Sequence, residues 1–293
     1  MAQWLNVSSF DAQQMFNIGI PRGIISYSQH LVKPRNYFHR TYKVDNRLTW
    51  KMPNNFVQLE KQLADPFRSP GCPVVLDIED VGASYWNYPG IKINNRWTIT
   101  EKNWQLSREG KEFLRQVIVF MQKKYPHEVF TYYGSGAPAF SSTLGGRIED
   151  VTRDWEYGSV GPDDNPRYGL ADAIPLSAMS LYMRWDENIR PHLARLNEQL
   201  KWYREKHDKP AGGFFWFRYH GGHKIKNLQG KEIPAKVIYP LIEWADKQLD
   251  YVFFWSGFPY SKHIEPNWPD RKTICEFEWC KAFQAYQYNK ADK

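Results

Sequence analysis

The most informative chemistry in this chain lies where a short apolar run ends in two acids. The run over residues 74–76 leads into Asp77 and Glu79, which are separated by Ile78. Alternate side chains of a strand share a face, so the two carboxyls should lie on one side, roughly 7 Å apart along the strand. Acids at the carboxyl end of a buried strand are costly to desolvate unless a ligand uses them. The spacing therefore indicates an acid pair of the glycosidase type.

Aromatic residues stand at the ends of the other apolar runs. Tyr133, Tyr182, Trp216 and Trp255 each lie at the end of a segment that is typical of a strand. The carboxyl ends of parallel strands meet at one mouth of an α/β barrel, where functional groups collect. Sugar rings stack on flat aromatic faces, so two acids, two phenols and two indoles at one mouth predict a carbohydrate site.

Strand and helix patterns alternate along the chain, which is typical of βα units. The predicted strands are 23–27 (the first), 73–79, 129–134, 177–183, 213–217 and 252–255. The predicted helices have apolar faces within 56–63, 113–121, 193–203, 237–244 and 270–277. Ser107, Asp186 and Pro234 mark three of the predicted helix starts, and Pro240 predicts a kink.

This alternation predicts an α/β fold, a (β/α) TIM-type barrel that is distorted or has seven strands, with long loops at its carboxyl face. Residues 1–257 should form this single barrel domain, and residues 258–293 a C-terminal extension whose helix packs on the barrel. The long connections are 80–106, which carries Tyr85, and 134–172, which is rich in Gly, Pro, Asp and Arg.

The net charge of the chain indicates which classes of binding partner are compatible with it. Lys and Arg number 39 against 32 Asp and Glu, a net charge of +7 that suits an anionic polymer and also an ordinary basic surface. No basic cluster is interleaved with aromatics and no nucleic-acid-binding motif is present, so a nucleic-acid partner is not expected. The sequence does not indicate an oligomeric state.

No cofactor, metal or membrane span is expected. The three cysteines, Cys72, Cys275 and Cys280, fit no zinc spacing and are interpreted as free thiols. His220 and His223 form a histidine pair without a third ligand, which is more typical of a solvent-facing glycine loop than of a metal site. The amino terminus does not have the pattern of a signal peptide, and no apolar run reaches about 20 residues.

Five segments, taken in order, resemble the hyaluronidase family of glycoside hydrolases. They are residues 75–79 (VLDIE), 130–134 (FTYYG), 180–185 (SLYMRW), 214–219 (FFWFRY) and 253–257 (FFWSG). The resemblance covers roughly residues 56–257. It implies a distorted barrel that hydrolyses a hexosaminide bond with retention, using the acetamido oxygen of the substrate as the nucleophile.

The resemblance also implies a role for each matching residue. Glu79 would protonate the leaving oxygen and then activate water, while Asp77 would hold the acetamido group and help keep Glu79 protonated. Tyr133 and Tyr182 would donate hydrogen bonds around that group, and Trp255 would form a wall beneath the sugar. Further substrate contacts are assigned to Trp216, Tyr85 and Arg184.

Departures from the family leave alternatives open. Ile78 stands where an aromatic residue is usual, residues 80–83 differ, and the family's disulfides have no cysteines here. The polymer could be hyaluronan, chondroitin, chitin or peptidoglycan. A second hypothesis pairs Glu79 with a loop carboxylate in a two-carboxylate mechanism. The loop candidates are Asp154, Glu156, Asp163 and Asp164.

A third hypothesis is an inactive barrel that serves as a glycan-binding or structural component of a larger assembly. If the barrel is inactive, Asp77 and Glu79 form a structural polar cluster at the strand end that is neutralised by Arg184 or Arg218.

Overall fold

A computed structural model of the 293-residue chain describes most of the predicted elements. The described residues are 1–8, 10–27, 31, 41–42, 48–49, 52–78, 91–93, 96–98, 101–133, 173–183, 188–220, 223–255 and 274–291.

The described residues form strands and helices that alternate over much of the chain. The strands are β1 Gln3–Asn6, β2 Ile24–Tyr27, β3 Thr41–Tyr42, β4 Leu48–Thr49, β5 Val74–Asp77, β6 Ile91–Ile93, β7 Arg96–Thr98, β8 Phe130–Tyr132, β9 Ser177–Ser180, β10 Ala211–Phe215 and β11 Tyr251–Phe254. The α-helices are α1 Ala12–Asn17, α2 Val57–Leu63, α3 Glu101–Lys124, α4 Ile189–Lys206, α5 Ala235–Gln248 and α6 Glu278–Ala291. Short 3-10 helices lie at Lys226–Leu228 and Ile274–Glu276.

The chain divides into two compact units. The first unit is Met1–Ile24, Asp65–Cys72 and Leu176–Lys293, and the second unit is Ile25–Ala64 and Pro73–Pro175. The first unit holds a sheet in the order β1-β11-β10-β9, in which every pairing is parallel. Helices α4 and α5 connect its last three strands in turn, as in successive βα units. The prediction of an α/β fold with parallel sheets is therefore confirmed.

The second unit holds a sheet in the order β2-β5-β8, in which β5 and β8 pair in parallel. Two antiparallel hairpins, β3–β4 and β6–β7, also belong to this unit. The central strand β5 is buried on both faces, since Val74, Val75 and Leu76 are all inaccessible to solvent. Continuous apolar runs of this kind are typical of parallel strands that are covered on both sides.

Three local predictions need correction. The strand predicted at 23–27 is present as β2 but is not the first, because Gln3–Asn6 forms β1 by pairing with β11 from the opposite end of the chain. Helix α3 begins at Glu101 rather than Ser107. Helix α4 is capped by Asn188, whose side chain accepts from the Arg190 N–H, whereas Asp186 lies outside the described residues.

Of the last two helices, one begins where the sequence predicts and the other does not. Helix α5 begins after Pro234 as predicted and runs on through Pro240 to Gln248. The helix expected from about residue 270 is divided into the 3-10 turn at Ile274–Glu276 and α6. Ile274 and Phe277 are buried, as the sequence predicts.

A buried carboxylate connects three elements of the first unit. Asp246 of α5 is only 2% exposed, and it accepts hydrogen bonds from Trp4 Nε1 at 3.2 Å, Tyr286 Oη at 2.8 Å and Lys290 Nζ at 2.9 Å. Burial by itself raises the pKa of Asp246, but the hydrogen bonds from Lys290 and Tyr286 outweigh it and leave the pKa below its ordinary value. The ionised carboxylate therefore ties β1 and α6 to α5.

Asp246→Asn should lower the free energy of unfolding by about 3 kcal/mol, because it leaves buried donors around a neutral amide. The contribution of the carboxylate should be present above an unfolded pKa of about 3.9 and be lost as the pH falls through the lower folded pKa. Urea denaturation at several pH values measures both effects.

Glu243→Gln on the same helix is the matched control. Glu243 pairs with Lys247 at 2.6 Å on the exposed surface, so this change should cost less than about 0.5 kcal/mol. Equal losses in the two variants would contradict the role assigned to Asp246.

Candidate functional site

In the second unit, Asp77 and Tyr133 lie at neighbouring strand ends. The register pairs Val74 with Phe130 and Leu76 with Tyr132, so its continuation places Asp77 beside Tyr133. The Tyr133 N–H donates to the Leu76 carbonyl at 3.1 Å, which shows that the ladder continues past β8. Both residues are half-buried. The two predicted site residues are therefore brought to the same edge of one sheet.

The hydroxyl of Tyr132 shows which side of this sheet faces the helices. It donates to the Leu114 carbonyl of α3 at 2.7 Å, and burial raises the pKa of this phenol well above its ordinary value. Successive side chains of a strand point to opposite faces, so Tyr133 and its neighbour Asp77 lie on the face away from α3. This is the face that the sequence assigns to the acid pair.

In the first unit, two phenylalanines mark the corresponding helix-facing side. Phe254 of β11 contacts Trp279 of α6 with ring centroids 4.4 Å apart, and Phe215 of β10 packs edge-on against Trp4 at 5.4 Å. Trp4 in turn meets Phe283 of α6 at 5.0 Å. The residues that follow these phenylalanines, Trp216 and Trp255, therefore face the opposite side of the sheet.

Three aromatic side chains form a row across the ends of β9, β10 and β11. The register pairs Ser180 with Phe214 and Phe214 with Phe253, and two residues further on stand Tyr182, Trp216 and Trp255. The ring centroids of Tyr182 and Trp216 are 5.3 Å apart, those of Trp216 and Trp255 are 5.1 Å apart, and Tyr182 stacks on Trp255 at 5.8 Å. We call these three residues the aromatic row.

His220 adds a fourth ring that sequence reasoning missed. Its imidazole stacks on Tyr182 at 6.0 Å and meets Trp216 edge-on at 5.7 Å, while the backbone N–H of His220 donates to the Met183 carbonyl at 3.1 Å. The prediction of a solvent-facing loop is wrong for His223 as well, since this residue is 1% exposed and its Nδ1 accepts from the Ile225 N–H. Only the short distance of His220 from the end of β10 could have signalled its position.

A buried histidine holds the backbone just before Tyr182. His192 of α4 is 4% exposed, and its Nε2 lies 3.1 Å from the Leu181 carbonyl, so the neutral ring donates there. Burial lowers the pKa of His192 to about 4, and the hydrogen bond to Leu181 opposes this only in part. His192 is therefore neutral near pH 7 and positions the strand end that carries Tyr182.

Several predicted site residues fall outside the described residues, so their assignments stay predictions. They are Glu79, Tyr85, Arg184, Asp154, Glu156, Asp163 and Asp164. Arg218, which was considered as a partner for the acids, is buried and donates from Nη1 to the Gly230 carbonyl at 2.8 Å.

The described ranges contain no group of three or more His, Cys, Asp or Glu side chains placed to hold a metal ion. Among the described helices, none combines the length and the apolar character needed to span a membrane.

The fold resembles that of bee venom hyaluronidase. A crystal structure of that enzyme in complex with a hyaluronic acid tetramer matches with a TM-score of 0.59 and 11% identity, covering 96% of this chain and 98% of the enzyme chain. A monoclinic crystal structure of the same enzyme matches with a TM-score of 0.55 and 11% identity. This match covers 99% of this chain and 98% of the enzyme chain.

The sequence comparisons give no such match. No protein-family profile and no curated protein matches the sequence. At 11% identity the likeness defines the fold alone, an α/β fold similar to that of hyaluronidase.

The stability of the protein should depend on pH through His192. The folded pKa of about 4 lies below the ordinary value of 6.5, so the unfolded chain takes up the proton first as the pH falls. The free energy of unfolding should therefore decrease by about 3 kcal/mol between pH 6.5 and 4. Denaturant titrations across this range measure the slope.

His192→Gln, whose amide can still donate to the Leu181 carbonyl, should remove most of this slope. His127→Gln on the exposed surface is the matched control and should leave the slope in place. An unchanged slope in His192→Gln would show that another group causes the pH dependence.

Proposed function

We propose that this protein is a glycoside hydrolase that cleaves a hexosaminide bond in an N-acetylated polysaccharide, by substrate-assisted catalysis with retention. The observation that carries the proposal is the placement of Asp77 and Tyr133 side by side at the carboxyl edge of β5 and β8. A strand-end carboxylate beside a phenol can hold and polarise an acetamido group. The fold resemblance to a hyaluronidase supports the same chemistry.

The proposed mechanism divides the work between the two acids. Glu79 acts first as the general acid that protonates the leaving oxygen and then as the base that activates water. Asp77 orients the acetamido group so that its oxygen attacks the anomeric carbon, and Tyr133 and Tyr182 donate hydrogen bonds as that group becomes charged. The negative charge of Asp77 favours the protonated form of Glu79 before bond cleavage.

The aromatic row supplies a surface for the sugar in this proposal. Trp255 is half-buried and therefore offers part of its ring to a ligand, while Tyr182 stacks on it. Flat rings bind the apolar faces of pyranose sugars, which explains aromatic residues at strand ends that carry no charge. Tyr85 and Arg184 are proposed as further contacts, and the net charge of +7 suits a polymer that carries carboxylates.

We further propose that the sheets belong to a TIM-type barrel, distorted or seven-stranded, formed by residues 1–257. Residues 258–293 would then be an extension of that domain. The contacts of α6 support this assignment, since Trp279 and Phe283 pack on Phe254 and Trp4.

One observation favours a second candidate function, an inactive barrel that binds glycan or serves a structural role. Tyr182 is only 5% exposed, and the rings of the aromatic row contact one another closely. A site whose rings are occupied by each other is less open to a sugar than a catalytic cleft usually is. This candidate predicts binding or assembly without bond cleavage.

The release of new reducing ends from hyaluronan, chondroitin, chitin oligomers and peptidoglycan tests the proposal. The wild-type protein should cleave at least one of them, and Glu79→Gln should lower kcat by about 10²- to 10⁴-fold, because it removes the proton donor. Asp77→Asn should also lower kcat, since its amide cannot stabilise the charged intermediate.

Glu205→Gln is the matched control for the loss of a carboxylate. Glu205 lies on the exposed side of α4, 3.8 Å from Lys201, so its variant should retain full activity and stability. If the wild type cleaves none of the polymers but binds one, the inactive barrel is the better description. Full activity in Glu79→Gln would refute the assigned acid.

A further inference from the structure

Trp216 is the member of the aromatic row whose polar atom has no hydrogen-bond partner within the described part of the chain. The residue is 9% exposed, and its Nε1 has no hydrogen-bond acceptor among the residues that the structure describes. A buried hydrogen-bond donor in a protein nearly always has an acceptor, and a buried donor without one lowers the stability of the folded state. An unpaired buried donor at a strand end therefore indicates that a bound ligand supplies the acceptor.

Three aromatic rings lie against Trp216. Its plane is steeply inclined to all of them, with an interplanar angle of 66° to Tyr182, 89° to His220 and 71° to Trp255. Aromatic faces are weak acceptors for an N–H group, and they replace a conventional hydrogen bond only in part. The rings exclude water from the indole, which would strengthen a hydrogen bond to a ligand oxygen.

The position of Trp216 fits a ligand-binding role. It lies one residue past β10, on the face of the sheet that points away from α6, and it shares this face with Trp255. The carboxyl ends of parallel strands are where α/β proteins bind ligands. By contrast, the neighbouring Phe215 and Phe217 belong to the packed side, where Phe217 meets Trp279 at 6.2 Å.

We propose that the indole N–H of Trp216 is a specificity-determining hydrogen-bond donor to an oxygen of the bound sugar. The acceptor is either the acetamido carbonyl or the carboxylate of a uronic acid, both of which accept without donating. This inference rests on the proposed carbohydrate function. It adds a polar contact to a surface that would otherwise recognise sugars by ring stacking alone.

Trp216→Phe tests the proposal, since it keeps an aromatic ring and removes the N–H. Titration calorimetry with hyaluronan and chitin oligosaccharides should show about fivefold weaker binding in the variant, as expected for one hydrogen bond. The melting temperature should fall, because Phe leaves a cavity where the buried indole was, so the affinities are compared at a temperature at which both proteins are folded. A loss limited to hyaluronan identifies the carboxylate as the acceptor, and a loss with both identifies the acetamido group.

Trp279→Phe is the matched control. The Nε1 of Trp279 is also buried without an acceptor among the described residues, but it lies on α6 against Phe254. Its variant should leave oligosaccharide affinity unchanged, which separates the effect of the site from the effect of losing an indole N–H.

One result would overturn the inference while the proposed function stands, namely equal affinity of Trp216→Phe and wild type for an oligosaccharide that the wild type binds. Failure of the wild type to bind either oligosaccharide would instead remove the proposed function, and this inference with it.

Discussion

The parallel pairing of β9, β10, β11 and β1 is the constraint on which the organisation of the first unit depends. Parallel strands share one carboxyl edge, so residues at equivalent register positions arrive side by side however far apart they are in the sequence. Close approach of β9 and β10 requires Gly212, because a Cβ atom there would lie 2.7 Å from the Ser177 carbonyl oxygen. The register of Ser180, Phe214 and Phe253 is what aligns the aromatic row.

The two-residue period of the strands separates structural from functional side chains. Phe215 and Phe254 pack against Trp4 and α6, and this apolar contact fixes the orientation of the strands. Trp216 and Trp255, one residue later, are thereby turned to the other face. In the second unit, the hydrogen bond from the Tyr132 hydroxyl to α3 holds Tyr132 on the helix side, and Tyr133 is thereby turned to the other face. Packing on the helix side therefore determines what the opposite side presents.

The sequence predicted the buried strands well because their apolar runs are short and bounded by polar or glycine residues. Strands β5, β8, β9, β10 and β11 fall within or within two residues of their predicted ranges. It missed β1, whose four residues carry little pattern and depend on pairing with β11. It also misplaced the start of α3, since the first residues of that helix lack apolar periodicity. Local patterns do not report long-range pairing.

The sequence by itself determined which residue types stand at the strand ends: an acid as the last residue of β5, and phenols or indoles after β8, β9, β10 and β11. Only the tertiary structure decided which of them meet. It placed Asp77 beside Tyr133, and it joined Tyr182, Trp216 and Trp255 in one row. It also brought His220 against Tyr182 and His192 to the Leu181 carbonyl. The physical reason is that side-chain alternation is a property of each strand, whereas register between strands is set by packing across long connections.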